Sequence, residues 1–309
     1  MTTVSWSLRR IGAQCCLGLW LGFVLAAAQA RTPLVLMTDF GVEDGAVSAM
    51  RGVAFGVDAE LNISDLTHQI PDYDIWAGAY RLFQTADYWP QGTVFVTVVD
   101  PGVGTERKSV VLKTRGGRYF VGPNNGLYTL VAEREGIAEM REIDEQVNRL
   151  PGSADSYTFH GRDVYAYTGA RLASGAISFE QVGRLLDPAS LVRLAYQAPS
   201  VSAGALRGNI PVLDVKYGNV WSNIPKAMLD SFGVKPGDKL RVRLFHGKQR
   251  VAEVVAPYVN SFGGVAKGQP LVYLNSLLNL SVALNQGNFA ARHKVASGAD
   301  WHLEIHPMR

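Results

Sequence analysis

Apolar and polar positions follow two different periods along this chain. Residues 33–38, 61–66 and 93–99 are short apolar runs bounded by Gly, Pro or Asp, the pattern of buried strands. Between them, residues 44–55 and 74–88 carry apolar side chains at helical spacing. Residues 110–113 and 119–122 flank Arg115-Gly116-Gly117 and read as a hairpin. Pro123-Asn124-Asn125-Gly126 opens another helix, and residues 163–174 and 179–186 also have helical spacing. Strands alternating with helices predict an α/β layer with a largely parallel central sheet.

The pattern changes near residue 196. Residues 197–202 hold Pro, Ser and Ala with neither period, so 197–210 is expected to be a linker. Beyond it come short alternating runs, at 239–245, 250–257, 270–274 and 302–306. Turns such as His246-Gly247-Lys248 separate several of them. They predict a small antiparallel β-barrel or sandwich over 211–309, after an α/β domain over 31–196.

Residues 1–30 follow neither period. Arg9 and Arg10 precede an apolar run over 11–28, and Ala28-Gln29-Ala30 fits a small-x-small cleavage site. This reads as a signal peptide cut after Ala30, which places the protein in the periplasm or outside the cell. The alternative is an uncleaved anchor, since the run approaches spanning length. Both cysteines, Cys15 and Cys16, lie in this segment. Cleavage would leave no thiol for a disulfide, a nucleophile or a metal, which suits an oxidising compartment. The formal charge of the whole chain is +3, and the segment carries two of the arginines and no acid. Without a basic excess, nucleic acid is not an expected partner.

Four clusters can carry chemistry. Thr38-Asp39-Phe40-Gly41 ends the first strand, and Asp39 there can accept hydrogen bonds from a ribose diol or cap the next helix. Asp100 follows the third strand in an acidic, glycine-rich turn with Arg107 further on, either as a reactive pair or as a turn Asp and an exposed Arg. His160 lies in Phe159-His160-Gly161-Arg162-Asp163, where the glycine leaves room for a ligand. Asp163 is expected to be a helix N-cap and Arg162 a surface charge. In Asp214 to Asn223 an acid, two aromatics and amides surround a glycine, suited to stacking on a base and reading its edge, or simply to a tight turn. No His-x-x-x-His pair falls on an expected helix, since His302 and His306 lie in an expected strand, and there is no phosphate-cradling glycine loop and no Gly-x-Ser-x-Gly turn.

In this order the clusters resemble the S-adenosyl-L-methionine hydroxide adenosyltransferase family, whose relatives include halide-using fluorinases and chlorinases. The matching segments are Thr38 to Gly41, Asp65 to Pro71, Val99 to Arg107, Phe159 to Asp163 and Asp214 to Asn223. The resemblance implies a catalytic set of Asp100, Arg107 and His160. It implies Asp39 at the ribose, Asp214 at the methionine amino group, Tyr217 and Asn219 at the adenine, and Ser276 at the methionine end. It also implies an α/β domain joined to a β-barrel domain, and a homotrimer with sites between subunits. Halogenating relatives replace the Asp by Tyr and the His by Gly, so retention of both points to water as the nucleophile. One position departs from the pattern. Where many relatives have Arg after Asn-Ser, this chain has Leu277, which cannot form a charge-assisted pair with a carboxylate.

The expected reaction is hydrolysis of S-adenosyl-L-methionine to adenosine and L-methionine, with no metal or organic cofactor. A sulfonium is already a good leaving group, so the enzyme needs only an oriented, activated water in line with the 5′-carbon–sulfur bond. Which side chain takes the proton is left open by the sequence. Two other readings are a non-enzymatic adenosine or S-adenosyl-L-methionine binding protein, and a hydrolase of another adenosyl compound.

Overall fold

The computed structural model describes residues 1–2 and 31–308. The expected signal segment therefore lies outside the described residues, apart from its first two positions. Among the described residues no helix is long and apolar enough to cross a membrane.

The amino-terminal half is built on one seven-stranded sheet. Its strands are β1 (Leu34–Thr38), β2 (Ile63–Thr67), β3 (Val94–Val98), β4 (Ser109–Thr114), β5 (Tyr119–Pro123), β6 (Ile137–Glu142) and β7 (Leu185–Leu186). The spatial order is β2-β1-β3-β5-β4-β6-β7. The first four in that order run parallel, and β4, β6 and β7 extend the sheet antiparallel. Alternate residues of the central strands face opposite layers. Leu34 and Leu36 of β1 join a core with Met50, Ala54 and Ala170. These come from α1 (Ala46–Val57) and from the helix, numbered below as α4, at Tyr167–Ala173. Val35 and Met37 join another core with Leu82 and Val131, from α2 (Ile75–Thr85) and α3 (Thr129–Glu135). Both strand faces are covered, which is why these runs are continuously apolar instead of alternating.

The chain passes from β1 to β2 on one side, then returns to place β3 on the other side of β1. Such a reversal opens a crevice at the carboxyl ends of the two central strands. The parallel register sets Thr38 beside Val98. Asp39 and Asp100 thus leave the sheet at the same edge, one and two residues beyond that pair.

Two expectations need correction here. Residues 179–186 were expected to be helical. They form one 3-10 turn, Glu180–Val182, followed by the short strand β7, because Leu185 and Leu186 pair with Arg141 and Met140 on the edge of the sheet. The 197–210 linker is also mostly sheet. Here β8 (Ser200–Ser202) and β9 (Ala205–Ile210) form a hairpin, and β9 is almost wholly buried. Its apolar positions were hidden by Arg207, Gly208 and Asn209, two of which place side-chain donors on partners inside the domain. Asn209, for example, donates to the carbonyls of Gly298 and Trp301.

The carboxyl-terminal half continues with β10 (Val212–Leu213), β11 (Val220–Pro225), α5 (Lys226–Ser231), β12 (Lys239–His246), β13 (Gln249–Pro257), β14 (Pro270–Leu274), β15 (Asn279–Leu284), α6 (Phe289–His293) and β16 (Gly298–Pro307), the helix at Tyr167–Ala173 being α4. Two antiparallel sheets result, β10-β11-β15-β14 and β13-β12-β16-β9-β8. Leu206, Val242, Leu244 and Ile305 of one sheet share a core with Val220, Ile224, Val272 and Val282 of the other. A single bridge between Tyr258 and Val272 joins β13's exit to β14. The fold class is the expected one, an α/β domain followed by an antiparallel β domain. The two halves are joined by packing of Trp76, Tyr80 and Leu130 against Val212, Trp221 and Leu277, and by Trp76 donating to the Pro211 carbonyl at 2.9 Å.

Candidate active site

The Asp100 turn folds back on itself. Val103 donates to the Asp100 carbonyl and Thr105 to the Gly102 carbonyl, so the chain returns Arg107 to the carboxylate it left. Arg107 Nε lies 3.0 Å from both Asp100 oxygens and Nη2 lies 2.5 Å from Oδ2. The side chains are only 4% (Asp100) and 11% (Arg107) exposed, so this is a shielded pair and not a surface contact. Burial alone would lower the Arg107 guanidinium, but Asp100, with Tyr165 and Glu145, more than reverses that and it rises above its ordinary value. Arg107 Nη1 also donates to Ser109 Oγ at 2.9 Å, and the guanidinium lies 5.6 Å from the centre of the Tyr165 ring.

His160 is buried at the start of a π-helical turn, Gly161–Ala166, that runs into α4. Its Nδ1 is 3.0 Å from the Tyr157 carbonyl, which can only accept, so Nδ1 carries the hydrogen and Nε2 is the basic nitrogen of the neutral ring. Arg149 Nη2 lies 3.4 Å and Glu145 Oε2 3.7 Å from Nε2. Burial pushes His160 below its ordinary value; Glu145 opposes this, and the Arg107 and Arg149 cations add to it. Gly161 sits in a tight place here. A Cβ at that position would stand 3.2 Å from the Phe40 ring, so the space beside His160 admits a neighbouring aromatic.

Asp39 accepts from the Tyr73 backbone N–H at 3.0 Å. It does not cap α1, whose first turn is held by Asp44 Oδ1 accepting from Ala46 N–H. Burial pushes the Asp39 carboxyl up, the Tyr73 amide opposes that, and the negative charges of Asp72 and Asp100 add to the rise. Tyr73 holds a φ of 63°, a left-handed backbone uncommon for a side chain of this size, at the point where its amide meets Asp39. Asp39, Asp100 and His160 all line one cavity of about 390 Å³, together with Phe40, Tyr73 and Phe159.

The flanking charges differ from expectation. Asp163 is not an N-cap. It lies inside the π-helical turn, 1% exposed, and accepts from Arg162 Nε at 2.6 Å and Nη2 at 3.0 Å. Arg162 is correspondingly not free. It also stacks 4.8 Å from the Phe159 ring centre.

The remaining expected residues meet elsewhere. Asp214, Tyr217, Asn219 and Ser276 line a pocket of about 970 Å³ on the carboxyl-terminal domain, with Trp221 and Tyr273. Asp214 and Asn219 close a tight turn: Asp214 N–H donates to the Asn219 carbonyl, and Asn219 Nδ2 donates to Asp214 Oδ2 at 3.1 Å. Gly218 has a φ of 66°, and a Cβ there would stand 1.9 Å from Asn288 Oδ1. Tyr217 is largely exposed on the rim, whereas Asn219 is buried. Leu277 turns away into the packing between the domains, and among the described residues the Trp221 indole nitrogen and Asn275 Nδ2 are buried without a hydrogen-bond partner. Among the described residues none lines both this pocket and the Asp100 cavity. A wider cleft of about 1110 Å³ runs between the domains past Trp76, Arg81 and Asp214. It lacks the Asp100 set, so volume alone does not mark the reactive centre.

Glu145, Arg149 and Ser109 were missed by the sequence reading. Their one sequence signal is the four-residue spacing of Glu145 and Arg149, common on any polar surface. Among the described residues no group of three or more His, Cys, Asp or Glu side chains is placed to hold a metal ion.

The family model described as SAM hydroxide adenosyltransferase N-terminal domain matches residues 34–183, and its C-terminal counterpart matches 208–302. The chain is 35% identical over 234 residues to the (R)-S-adenosyl-L-methionine hydrolase of Methanocaldococcus jannaschii, covering 74% of this chain and 80% of that protein. It is 35% identical over 263 residues to the protein of the same name from Salinispora tropica, covering 84% and 94%. A fluorinase from Actinoplanes sp. is 29% identical over 295 residues, covering 88% and 97%. A crystal structure of an uncharacterized conserved protein from Thermotoga maritima has a TM-score of 0.81 at 33% identity, covering 88% of this chain and 99% of that one. The chain belongs to the SAM hydroxide adenosyltransferase family.

Proposed function

We propose that this protein hydrolyses S-adenosyl-L-methionine to adenosine and L-methionine by in-line attack of water on the ribose 5′-carbon. The observation that carries the reading is the meeting of Asp100, paired to Arg107, with His160 at one small cavity, and with aspartate and not tyrosine at position 100. The relatives named as hydrolases support it.

In this mechanism His160 takes the proton. Both Asp100 oxygens face the Arg107 guanidinium, which makes the carboxylate an acceptor that holds water and a poor destination for a proton. His160 Nε2 carries no hydrogen in the neutral ring and can take one from water in place of its long 3.4 Å contact with Arg149. Water gives a proton to Nε2, its oxygen bonds to C5′, and the C5′–S bond breaks with its electrons moving to sulfur. The cationic sulfonium becomes a neutral thioether, so no acid has to protonate the leaving group. No metal or organic cofactor enters this scheme. Asp39 holds the ribose diol through the oxygen not committed to Tyr73. Tyr217 and Asn219 take the adenine, and Asp214 the amino group. The carboxylate falls to Ser276 and to the unpartnered Asn275 amide, since Leu277 offers no charge.

The groups assigned to the ribose and to the adenine line separate pockets of one chain, which supports a site completed by a second copy. We include a homotrimer with sites between subunits in the proposal, and export directed by residues 1–30. Leu277 favours one other reading, a hydrolase of an adenosyl compound without a carboxylate tail.

The test is incubation of the protein, expressed without residues 1–30, with S-adenosyl-L-methionine, following adenosine by chromatography. Adenosine formed by the native protein and lost in His160→Ala and Asp100→Ala supports the hydrolase. Tight binding without adenosine would replace it with a binding protein. Turnover confined to a related adenosyl compound would favour the second reading.

A further inference from the structure

The 143–150 loop brings a third layer of charge to the Asp100 cavity. Asp144 accepts from the Val147 and Asn148 backbone amides, which winds the loop into a turn. Asn148, fully buried, clamps that turn by donating to the Gln181 and Val182 carbonyls at 3.1 and 2.9 Å. Glu145 and Arg149 are thereby set side by side, with Arg149 Nη2 2.5 Å from Glu145 Oε2. Arg149 is 8% exposed and lies 4.9 Å from the Tyr157 ring centre, so it has little freedom to leave.

This pair closes a chain of contacts. Arg107, bound to Asp100, donates to Ser109 Oγ; Ser109 donates to Glu145 Oε1 at 3.2 Å; Glu145 accepts from Arg149; Arg149 and Glu145 both face His160 Nε2. The two members of the proposed reaction, Asp100 and His160, are thus joined behind the cavity by residues that do not line it.

We propose that Glu145 and Arg149 are positioning residues that together fix the charge seen by His160 Nε2, and so the pH at which His160 works as a base. Glu145 stabilises the imidazolium formed when His160 takes a proton, and Arg149 restrains it. The other groups facing the imidazole are Arg107 from the Asp100 turn, the Tyr157 carbonyl and ring from the preceding loop, and the Tyr165 ring from its own turn, both ring centres being 6.3 Å from the imidazole centre. Of the charged ones, Glu145 alone is an anion that opposes the cations. The base role itself rests on the hydrolase reading, whereas the charge balance at His160 does not.

The experiment reads both separately. The titration of His160 is followed by NMR of its ring Cε1–H, identified by its loss in His160→Gln, in the full chain without residues 1–30. Adenosine release is measured over the same pH range. Glu145→Gln should move the His160 midpoint and the acid limb of kcat/KM to lower pH, by about one pH unit. Arg149→Gln should move both to higher pH, and the double variant should return near the native position. A purely structural role predicts reduced turnover with the midpoint unmoved, and that result overturns the proposal. So does movement in the same direction for both single variants. Glu145 is one-third exposed, so its isosteric variant serves alone if Arg149→Gln does not fold. If no adenosine forms but the NMR midpoints move in opposite directions, the hydrolase reading fails and the charge assignment stands.

Discussion

Arg107 reaches back seven residues to grip Asp100, its Nε 3.0 Å from each carboxylate oxygen. The pair is shielded, so its two members depend on one another more than a surface pair would. Replacing Asp100 by Ala leaves a buried guanidinium with Ser109 as its remaining side-chain hydrogen-bond partner. We expect a loss of about 3–5 kcal/mol in unfolding free energy, measured by urea titration. Asp100→Asn retains the shape and an acceptor oxygen, and should cost clearly less stability while still reducing kcat/KM roughly 10²–10⁴-fold. Equal stability loss in both variants would show that the ion pair is not what holds the turn.

His160 sets the pH behaviour of turnover. Its ordinary value of 6.5 is lowered by burial, so the active neutral form persists below that pH. The acid limb of kcat/KM should therefore fall below 6.5, and the rate should be flat from there through neutrality until another group titrates. An acid limb above 6.5 in the native protein would contradict the environment described for His160.

The same depression bears on stability. His160, His293 and His302 are each lowered mainly by burial. As pH falls through 6.5 the unfolded chain takes up protons that the folded chain does not yet accept, so unfolding is favoured in that window. Above it, these groups contribute their full stabilisation; below the folded-state midpoints, their contribution is lost and changes no further. The melting temperature should fall between about pH 7.5 and 5.5, with a shallower slope in His302→Gln, as read by calorimetry.

Separate pockets within one chain give a test of shared sites. Asp100→Ala disables the cavity on the α/β domain, and Asp214→Ala disables the pocket on the β domain. Each variant alone should be nearly inactive. Co-refolded together, they should regain activity, because some mixed assemblies pair an intact cavity with an intact pocket. No recovery, with mixed oligomers verified by native mass spectrometry, would mean that each site is built within one chain.

Leu277 packs between the domains beside Trp76, Tyr80 and Trp221. Leu277→Arg should lower unfolding free energy by about 1–3 kcal/mol, by placing a poorly paired charge in an apolar seam. Because the side chain faces that seam, KM for S-adenosyl-L-methionine should change little. A fall in KM of tenfold or more would show that an arginine there can turn to the substrate.

The alternation of apolar runs and the Gly, Asp and Pro punctuation gave away most strands and helices of the α/β half. The register of Thr38 beside Val98 then makes Asp39 and Asp100 neighbours, which their positions in the sequence only suggest. The β8 and β9 strands were concealed because a half-buried Arg207 and a buried Asn209 interrupt the apolar run, with partners supplied from distant strands. Asp163 looked like a cap because it precedes a helical run, but a π-helical turn begins earlier and carries it inside.

What the sequence determined by itself was local. Strand-ending acids, the fold class and the residue types suited to an adenosyl ligand follow from short-range pattern and resemblance. What the tertiary structure alone decided was company. Arg107 turns back onto Asp100, Glu145 and Arg149 come to face His160 from another loop, and Asp214, Tyr217, Asn219 and Ser276 gather in a separate pocket. Local pattern reports which side a residue faces, because burial of one strand face or helix stripe imposes its period on the sequence. It does not report which distant charge stands opposite, because that pairing is set by sheet order and loop closure and leaves no period behind.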